Sequence, residues 1–176
     1  MILKTENLTI GYGEKAVQRG LNLEARERDL ICLTGTNGSG KSTLLRTLAG
    51  LQPALNGRVM IADKDIASLN VHQRSTLFSL VLTDDIDIER LTVRELVAMG
   101  RFPYTNWAGA LSDYDHKIID KALQDVHLAH KADAMINQIS DGEKQRAVIA
   151  KALTQDTPLV LLDEPTAHLD LPNRIE

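Results

Sequence analysis

The chain has 176 residues, of which 43% are hydrophobic and 25% charged, with a formal net charge of -4. That is the composition of an ordinary globular protein, large enough for one well-cored domain or a domain with a small subdomain, and it carries no footprint for binding a polyanion. A single cysteine, Cys32, excludes an internal disulfide and a thiolate metal site. No apolar run approaches the roughly 20 residues that span a bilayer, and MILKTENLTI lacks the basic start and long apolar core of a signal peptide, so the chain reads as cytoplasmic.

From the N-terminus, LKTENLTIGYG and KAVQRGLNLEA alternate apolar and polar residues, which predicts antiparallel strands around a Gly-Tyr-Gly turn. DLICLTG is a short apolar run of the kind expected of a strand buried on both faces, with Cys32 a buried structural thiol. KSTLLRTLAG then predicts a helix with Leu44, Leu45 and Leu48 on one stripe, ended by Gly50 and Pro53. GRVMIADKDIASL reads as a strand and turn, and residues 71–80 as helical.

Helical periodicity returns in TVRELVAMG and in DYDHKIIDKALQDVHLAH, where Ile118, Ala122 and Val126 recur every four residues. RFPYTNWAG between them gathers three of the six aromatics in a loop. A helix from Ser140 to about Thr154 and a buried strand, PLVLLDEP, complete the pattern. Strand, loop, helix, helical insert, helix and buried strand describe an α/β nucleotide-binding core carrying a helical subdomain.

Three stretches carry chemistry. Gly35 to Ser42, GTNGSGKS, fits G-x-x-x-x-G-K-[ST] between a predicted strand and a predicted helix. In such a loop Gly35, Thr36, Asn37, Gly38, Ser39 and Gly40 turn backbone N–H groups toward phosphate oxygens. Lys41 reaches the β and γ phosphates, Ser42 offers a hydroxyl to Mg²⁺, Thr43 follows in the first helical turn, and the helix N-terminus adds partial positive charge. Asp163 and Glu164 close the apolar strand LVLLDEP at the sheet edge where ligands bind in open α/β folds. Asp163 suits a Mg²⁺ partner and Glu164 a base for an attacking water. In ISDGEKQR, Ser140 and Glu143 have the spacing of a capping box, which alone explains a helix start and leaves open whether that helix end also meets an anion.

Together these motifs resemble the ATP-binding cassette (ABC) ATPases, in which ISDGEKQR matches the LSGGQ-like signature. The resemblance covers essentially the whole chain and implies the following expectations. The fold is a P-loop NTPase core, mainly a parallel sheet with flanking helices, with an N-terminal antiparallel β subdomain. Residues 1–83 hold that β subdomain and the first part of the core, 84–139 the helical subdomain, and 140–176 the signature helix, the acidic strand and the D-loop ending at Asp170. Ser140, Asp141, Gly142 and Glu143 face the γ-phosphate of a second, head-to-tail cassette. Tyr12 stacks on adenine, and Thr83 stands where the family usually has Gln.

The details VRELVAMGRFPYTNW and AHLDLPNRIE look most like the ATPase subunits of iron-siderophore, haem and cobalamin importers. That implies transmembrane permease subunits as partners, indirectly a substrate-binding protein, ATP and Mg²⁺ as ligands, and a peripheral place on the inner face of the membrane, with no nucleic acid. Phe102, Tyr104 and Trp107 either anchor the permease contact or close a small core. Asp141, where Gly is commoner, is expected to point into solvent. No histidine follows the D-loop to act as the family's switch residue, which reads as a fragment of a longer cassette. The rival readings are an ABC ATPase of DNA repair or chromosome organisation and a non-catalytic nucleotide-binding module.

Overall fold

The computed structural model describes residues 1–82 and 90–165. The chain divides into two compact units, Met1–Phe78 and Ser79–Glu176. In the first, β1 (Leu3–Tyr12) pairs antiparallel with β2 (Lys15–Leu21) across the Gly13-Glu14 turn, and with the short β3 (Glu24–Ala25). Its other edge takes β4 (Asn56–Ile61), with Leu3 opposite Ile61 and Thr5 opposite Val59, and β4 in turn pairs with β5 (Lys64–Asp65). Leu8, Ile10 and Ile61 are fully buried. Buried Thr5 is doubly used: its hydroxyl donates to the Leu21 carbonyl at 3.0 Å and accepts from the Leu23 N–H at 2.8 Å. The antiparallel N-terminal sheet expected from the alternation is therefore present, and it is sewn shut by a polar residue within its own core.

Helix α1 (Lys41–Leu48) packs on β1 and buries Leu44, Leu45 and Leu48, the stripe its spacing predicts. It ends at Ala49, with Gly50 in the left-handed region at φ 64°. Two expectations fail in this unit. Residues 29–34 form no strand; Leu30 is 93% exposed, and Ile31, Cys32 and Leu33 are exposed with it. An apolar run becomes a buried strand only where neighbouring strands supply ladder hydrogen bonds, and among the described residues none pairs with this one. Helix α2 (Val71–Ser75) also stops well short of Leu80: it has its Asn70–Gln73 capping box but buries no residue, and nothing propagates it. The chain turns instead into β6 (Phe78–Val81), where Phe78 and Val81 are buried.

The second unit is mainly helical. Helices α3 (Val93–Ala98), α4 (Asp113–Asp125) and α5 (Asp141–Thr154) each begin with a reciprocal capping box, formed by Thr92 and Glu95, Ser112 and Asp115, and Ser140 and Glu143. Three short helices thus start where a side chain satisfies the free N–H groups of the first turn. Their shared core contains Val93, Leu96, Val97, Ile119, Leu123 and Leu128, with the small Ala147 and Ala150 of α5 fully buried against it. On α4 the buried face runs through Ile119, Ala122 and Leu123 to Val126 at its C-terminal end; of the expected stripe Ala122 and Val126 are buried and Ile118 is half-buried.

A 3₁₀ segment, Met99–Tyr104, follows α3, so that Arg101 to Tyr104, expected as loop, are also helical in part. Strand β7 (Leu159–Leu162) joins β6 in a two-stranded sheet, and the Asp163 N–H donates to the Val81 carbonyl at 2.9 Å. Only Leu161 of β7 is buried, with Val160 and Leu162 each 37% exposed. Among the described residues this pair is what stands for the larger parallel sheet, and β7 is not covered on both faces.

Candidate functional site

The phosphate loop is built by its backbone. Gly40 has φ 98°, and a Cβ there would lie 2.7 Å from Cγ1 of Val17 on β2, so only glycine turns the chain here from loop into α1. A Cβ on Gly35 would meet the Ser39 hydroxyl at 2.8 Å. The Ser39 N–H donates to the Thr36 carbonyl at 3.2 Å, closing a turn across Asn37 and Gly38. Lys41 folds back over the loop, its ammonium donating to the carbonyls of Gly35 at 3.0 Å and Thr36 at 3.1 Å. Its charge is thereby held at the loop that precedes the N-terminus of α1, which itself favours an anion. Ser42 is exposed. This donor set fits a nucleotide phosphate with Mg²⁺: backbone N–H groups, one ammonium and one hydroxyl at a helix start, with no crowding Cβ.

Tyr12, at the end of β1, is 58% exposed and its hydroxyl lies 3.3 Å from Oγ1 of buried Thr43 in α1. That hydrogen bond ties the aromatic ring to the helix that follows the phosphate loop. Thr43 itself faces inward, and its carbonyl accepts from the Thr47 hydroxyl at 2.8 Å.

In the second unit, ISDGEKQR is the start of α5. The Ser140 hydroxyl accepts from the Glu143 N–H at 3.3 Å, and one Glu143 carboxylate oxygen accepts from the Ser140 N–H at 3.0 Å and its hydroxyl at 3.2 Å. The other carboxylate oxygen accepts from the Lys131 ammonium at 2.5 Å. Lys131 chiefly, and then the Ser140 N–H, hold the Glu143 carboxyl down at about 2. Asp141 points outward as expected, its side chain 76% exposed and paired with Lys144 at 2.9 Å. Gly142 stands between them, half-buried.

At the end of β7, Asp163 is 5% exposed while Glu164 is exposed and takes the left-handed region at φ 46°. A glutamate gains nothing locally from that conformation, which costs about 1 kcal/mol or more and is tolerated where surrounding structure imposes it. The adjacent acids therefore occupy different environments, one enclosed and one presented to solvent. Thr83 and the D-loop ending in Asp170 lie outside the described residues. Among the described residues there is no cluster of three or more His, Cys, Asp or Glu able to hold a metal by itself, and no helix is long and apolar enough to cross a membrane.

The aromatics of residues 102–107 do not close a core: Phe102 is 57% and Trp107 fully exposed. Tyr104 is 42% exposed, donates its hydroxyl to the Gln155 carbonyl at 2.8 Å and receives the Arg101 guanidinium 4.1 Å over its ring. Beneath it lies a feature that sequence reasoning missed. Arg101 and Asp115 are buried as an ion pair, Nε to Oδ1 2.7 Å, and Arg101 also donates to the Thr154 carbonyl at 2.9 Å at the C-terminal end of α5. Only the Ser112-x-x-Asp115 spacing signalled half of it, as a cap.

These features fall in a known family. The ABC transporter family model matches residues 18–167. The iron(3+)-hydroxamate import ATP-binding protein FhuC of Bacillus subtilis is 38% identical over 174 residues, covering 99% of this chain and 65% of its own length. The ferric enterobactin transport ATP-binding protein FepC of Escherichia coli is 39% identical over 177 residues, at 99% and 64%. Among solved structures, a bacterial ABC transporter cassette in its dimeric form superposes with a TM-score of 0.84 at 29% identity, covering 99% of this chain and 78% of that one. A cassette in a post-hydrolysis state with ADP and Pi superposes at 0.80 and 29%, covering 97% and 77%. The chain belongs to the ABC transporter ATPase family and has its P-loop NTPase fold. It spans less than two thirds of the length of the curated relatives it matches, 60% to 65% for the first four.

Proposed function

We propose that this chain is the ATP-binding and ATP-hydrolysing part of an importer that takes up a ferric siderophore, working as a head-to-tail pair on transmembrane permease subunits. The observation that carries the reading is the presence, on one chain, of an open phosphate cradle at α1 and an exposed, charge-balanced helix start at α5. Relatives named for hydroxamate and enterobactin import favour a siderophore over haem or cobalamin among the substrates the motifs suggest. The short segment between Lys41 and Ser140 has no room for the long coiled coil of a chromosome-organising ATPase.

In this reading the loop N–H groups and Lys41 bind the phosphates of ATP, and Tyr12 stacks on the adenine. Ser42 and Asp163 are the residues that would hold Mg²⁺, which when bound neutralises phosphate charge. Glu164 accepts the proton of the attacking water, and Ser140 of the second cassette donates to the γ-phosphate from the other side. ATP thereby closes the pair and hydrolysis reopens it. The exposed Phe102 and Trp107 are the surface offered to a permease, which would hold the pair at the inner face of the membrane.

The test uses the whole gene product with its permease. Glu164→Gln should lower Mg-ATP turnover by at least about 100-fold and accumulate an ATP-bound pair. Uptake of a ferric siderophore into vesicles should stop with it. Turnover unchanged by the substitution would remove Glu164 from the mechanism, and uptake indifferent to ATP would remove the importer reading.

A further inference from the structure

We infer that Lys131 is a positioning residue for the signature helix: by holding one oxygen of Glu143 it frees the Ser140 hydroxyl to turn toward an incoming triphosphate and cancels the negative charge that would repel it. The inference rests on the ATPase reading above and concerns a residue outside every motif that led there.

A serine hydroxyl has one proton to give. In this structure the Ser140 hydroxyl lies 3.2 Å from a Glu143 carboxylate oxygen, geometry in which that proton is given to Glu143 and is not available to a phosphate. Glu143 is held by three donors: the Lys131 ammonium at 2.5 Å, the Ser140 N–H at 3.0 Å and the hydroxyl. Release of the hydroxyl leaves two of them, and the longest of the three is the one surrendered. The cap on α5 therefore survives the rotation, because Lys131 bears on the oxygen that Ser140 does not use. Without Lys131, the freed hydroxyl would leave the Glu143 side chain with the backbone N–H alone.

Charge points the same way. The first turn of α5 contains two acids, Asp141 and Glu143, at the end where the helix favours anions. Each is matched by a lysine, Asp141 by Lys144 at 2.9 Å and Glu143 by Lys131. The two pairs are unequal: the Asp141 side chain is 76% exposed and screened by water, whereas that of Glu143 is 14% exposed. Loss of Lys131 would leave the less screened carboxylate uncompensated within one helical turn of the phosphate, enough to weaken its binding on the order of tenfold.

The experiment measures the ATP concentration at half-maximal pairing of the whole gene product carrying Glu164→Gln. Lys131→Met should raise it roughly tenfold, and Lys131→Arg should return it to within about threefold of the parent. In a Glu143→Gln background, where no charge remains to cancel, Lys131→Met should change it less than about twofold. Affinity for ADP, which reports the phosphate loop without the partner's signature, should stay unchanged, and the thermal midpoint of each variant excludes loss of folding. Pairing of Lys131→Met at the parent's ATP concentration, or an equal effect in the Glu143→Gln background, overturns the inference. A Glu164→Gln parent that binds ATP and never pairs overturns the ATPase-pair reading itself, and the role of Lys131 with it.

Discussion

Replacing Asp115 by Ala tests the buried knot that joins the 3₁₀ segment Met99–Tyr104 to α4 and α5 in the second unit. Asp115 accepts from Arg101 Nε at 2.7 Å, from the Ser112 N–H at 2.8 Å and from its hydroxyl at 2.6 Å. Loss of the reciprocal cap at α4 costs about 1 kcal/mol. The larger cost is Arg101, 3% exposed, left without its counter-ion; breaking a buried pair from one side costs about 3 kcal/mol or more. The sum, about 4 kcal/mol, is a large part of a typical stability of 5–15 kcal/mol and should lower the thermal midpoint by about 10 °C. Combining Arg101→Met with Asp115→Leu removes both charges and should recover more than half of that loss. The assay is denaturant unfolding followed by the helical circular-dichroism signal. A loss below about 1 kcal/mol for Asp115→Ala, or a double variant as unstable as the two singles added, would refute the argument. The pair also sets an acid limit. Ser112, through its hydroxyl and N–H, and then Arg101 hold the Asp115 carboxyl at about 2, below its ordinary 3.8. This stabilisation is therefore complete above pH about 4 and lost as pH falls through 2.

Gly40→Ala should abolish nucleotide binding and lower stability by about 1–3 kcal/mol, since its Cβ has no room beside Val17 at a φ of 98°; a fluorescent nucleotide titration with wild-type affinity would contradict this. Glu143 titrates at about 2 in the folded chain against 4.5, so its contribution is present above about pH 4.5 and disappears as pH falls toward 2; Lys131→Met should raise that midpoint in carboxyl NMR, and an unmoved midpoint would show that Lys131 does not hold the charge. Glu164→Gly should stabilise the chain by up to about 1 kcal/mol by relieving a left-handed glutamate while ending ATP turnover; a destabilised variant would mean that the Glu164 side chain makes contacts worth more than the strain.

Much of this molecule was legible from its residues because the relevant signals are local. A glycine-rich turn before KST, an apolar stripe at Leu44, Leu45 and Leu48, and a Ser140-to-Glu143 cap each specify their structure over a few residues, and all three stand where the spacing put them. The outward turn of Asp141 was legible for the same reason, since a side chain at the first helical position has solvent on one side and Lys144 within reach.

Tertiary structure decided the rest. Leu30 to Leu33 have the composition of a buried strand, but a strand is completed by neighbours, and no described strand pairs with them. Residues 76–80 left the helical pattern, first as a turn and from Phe78 in β6, once α2 had nothing to bury. Arg101 reads as a surface residue among loop aromatics, and only the convergence of Asp115 from α4 and Thr154 from α5 makes its burial affordable. The same holds for Lys131, whose meaning lies in Glu143, 12 positions away. Spacing determines what one segment offers; which charges meet across segments is set by packing, because burial makes an ion pair possible only when both partners arrive together.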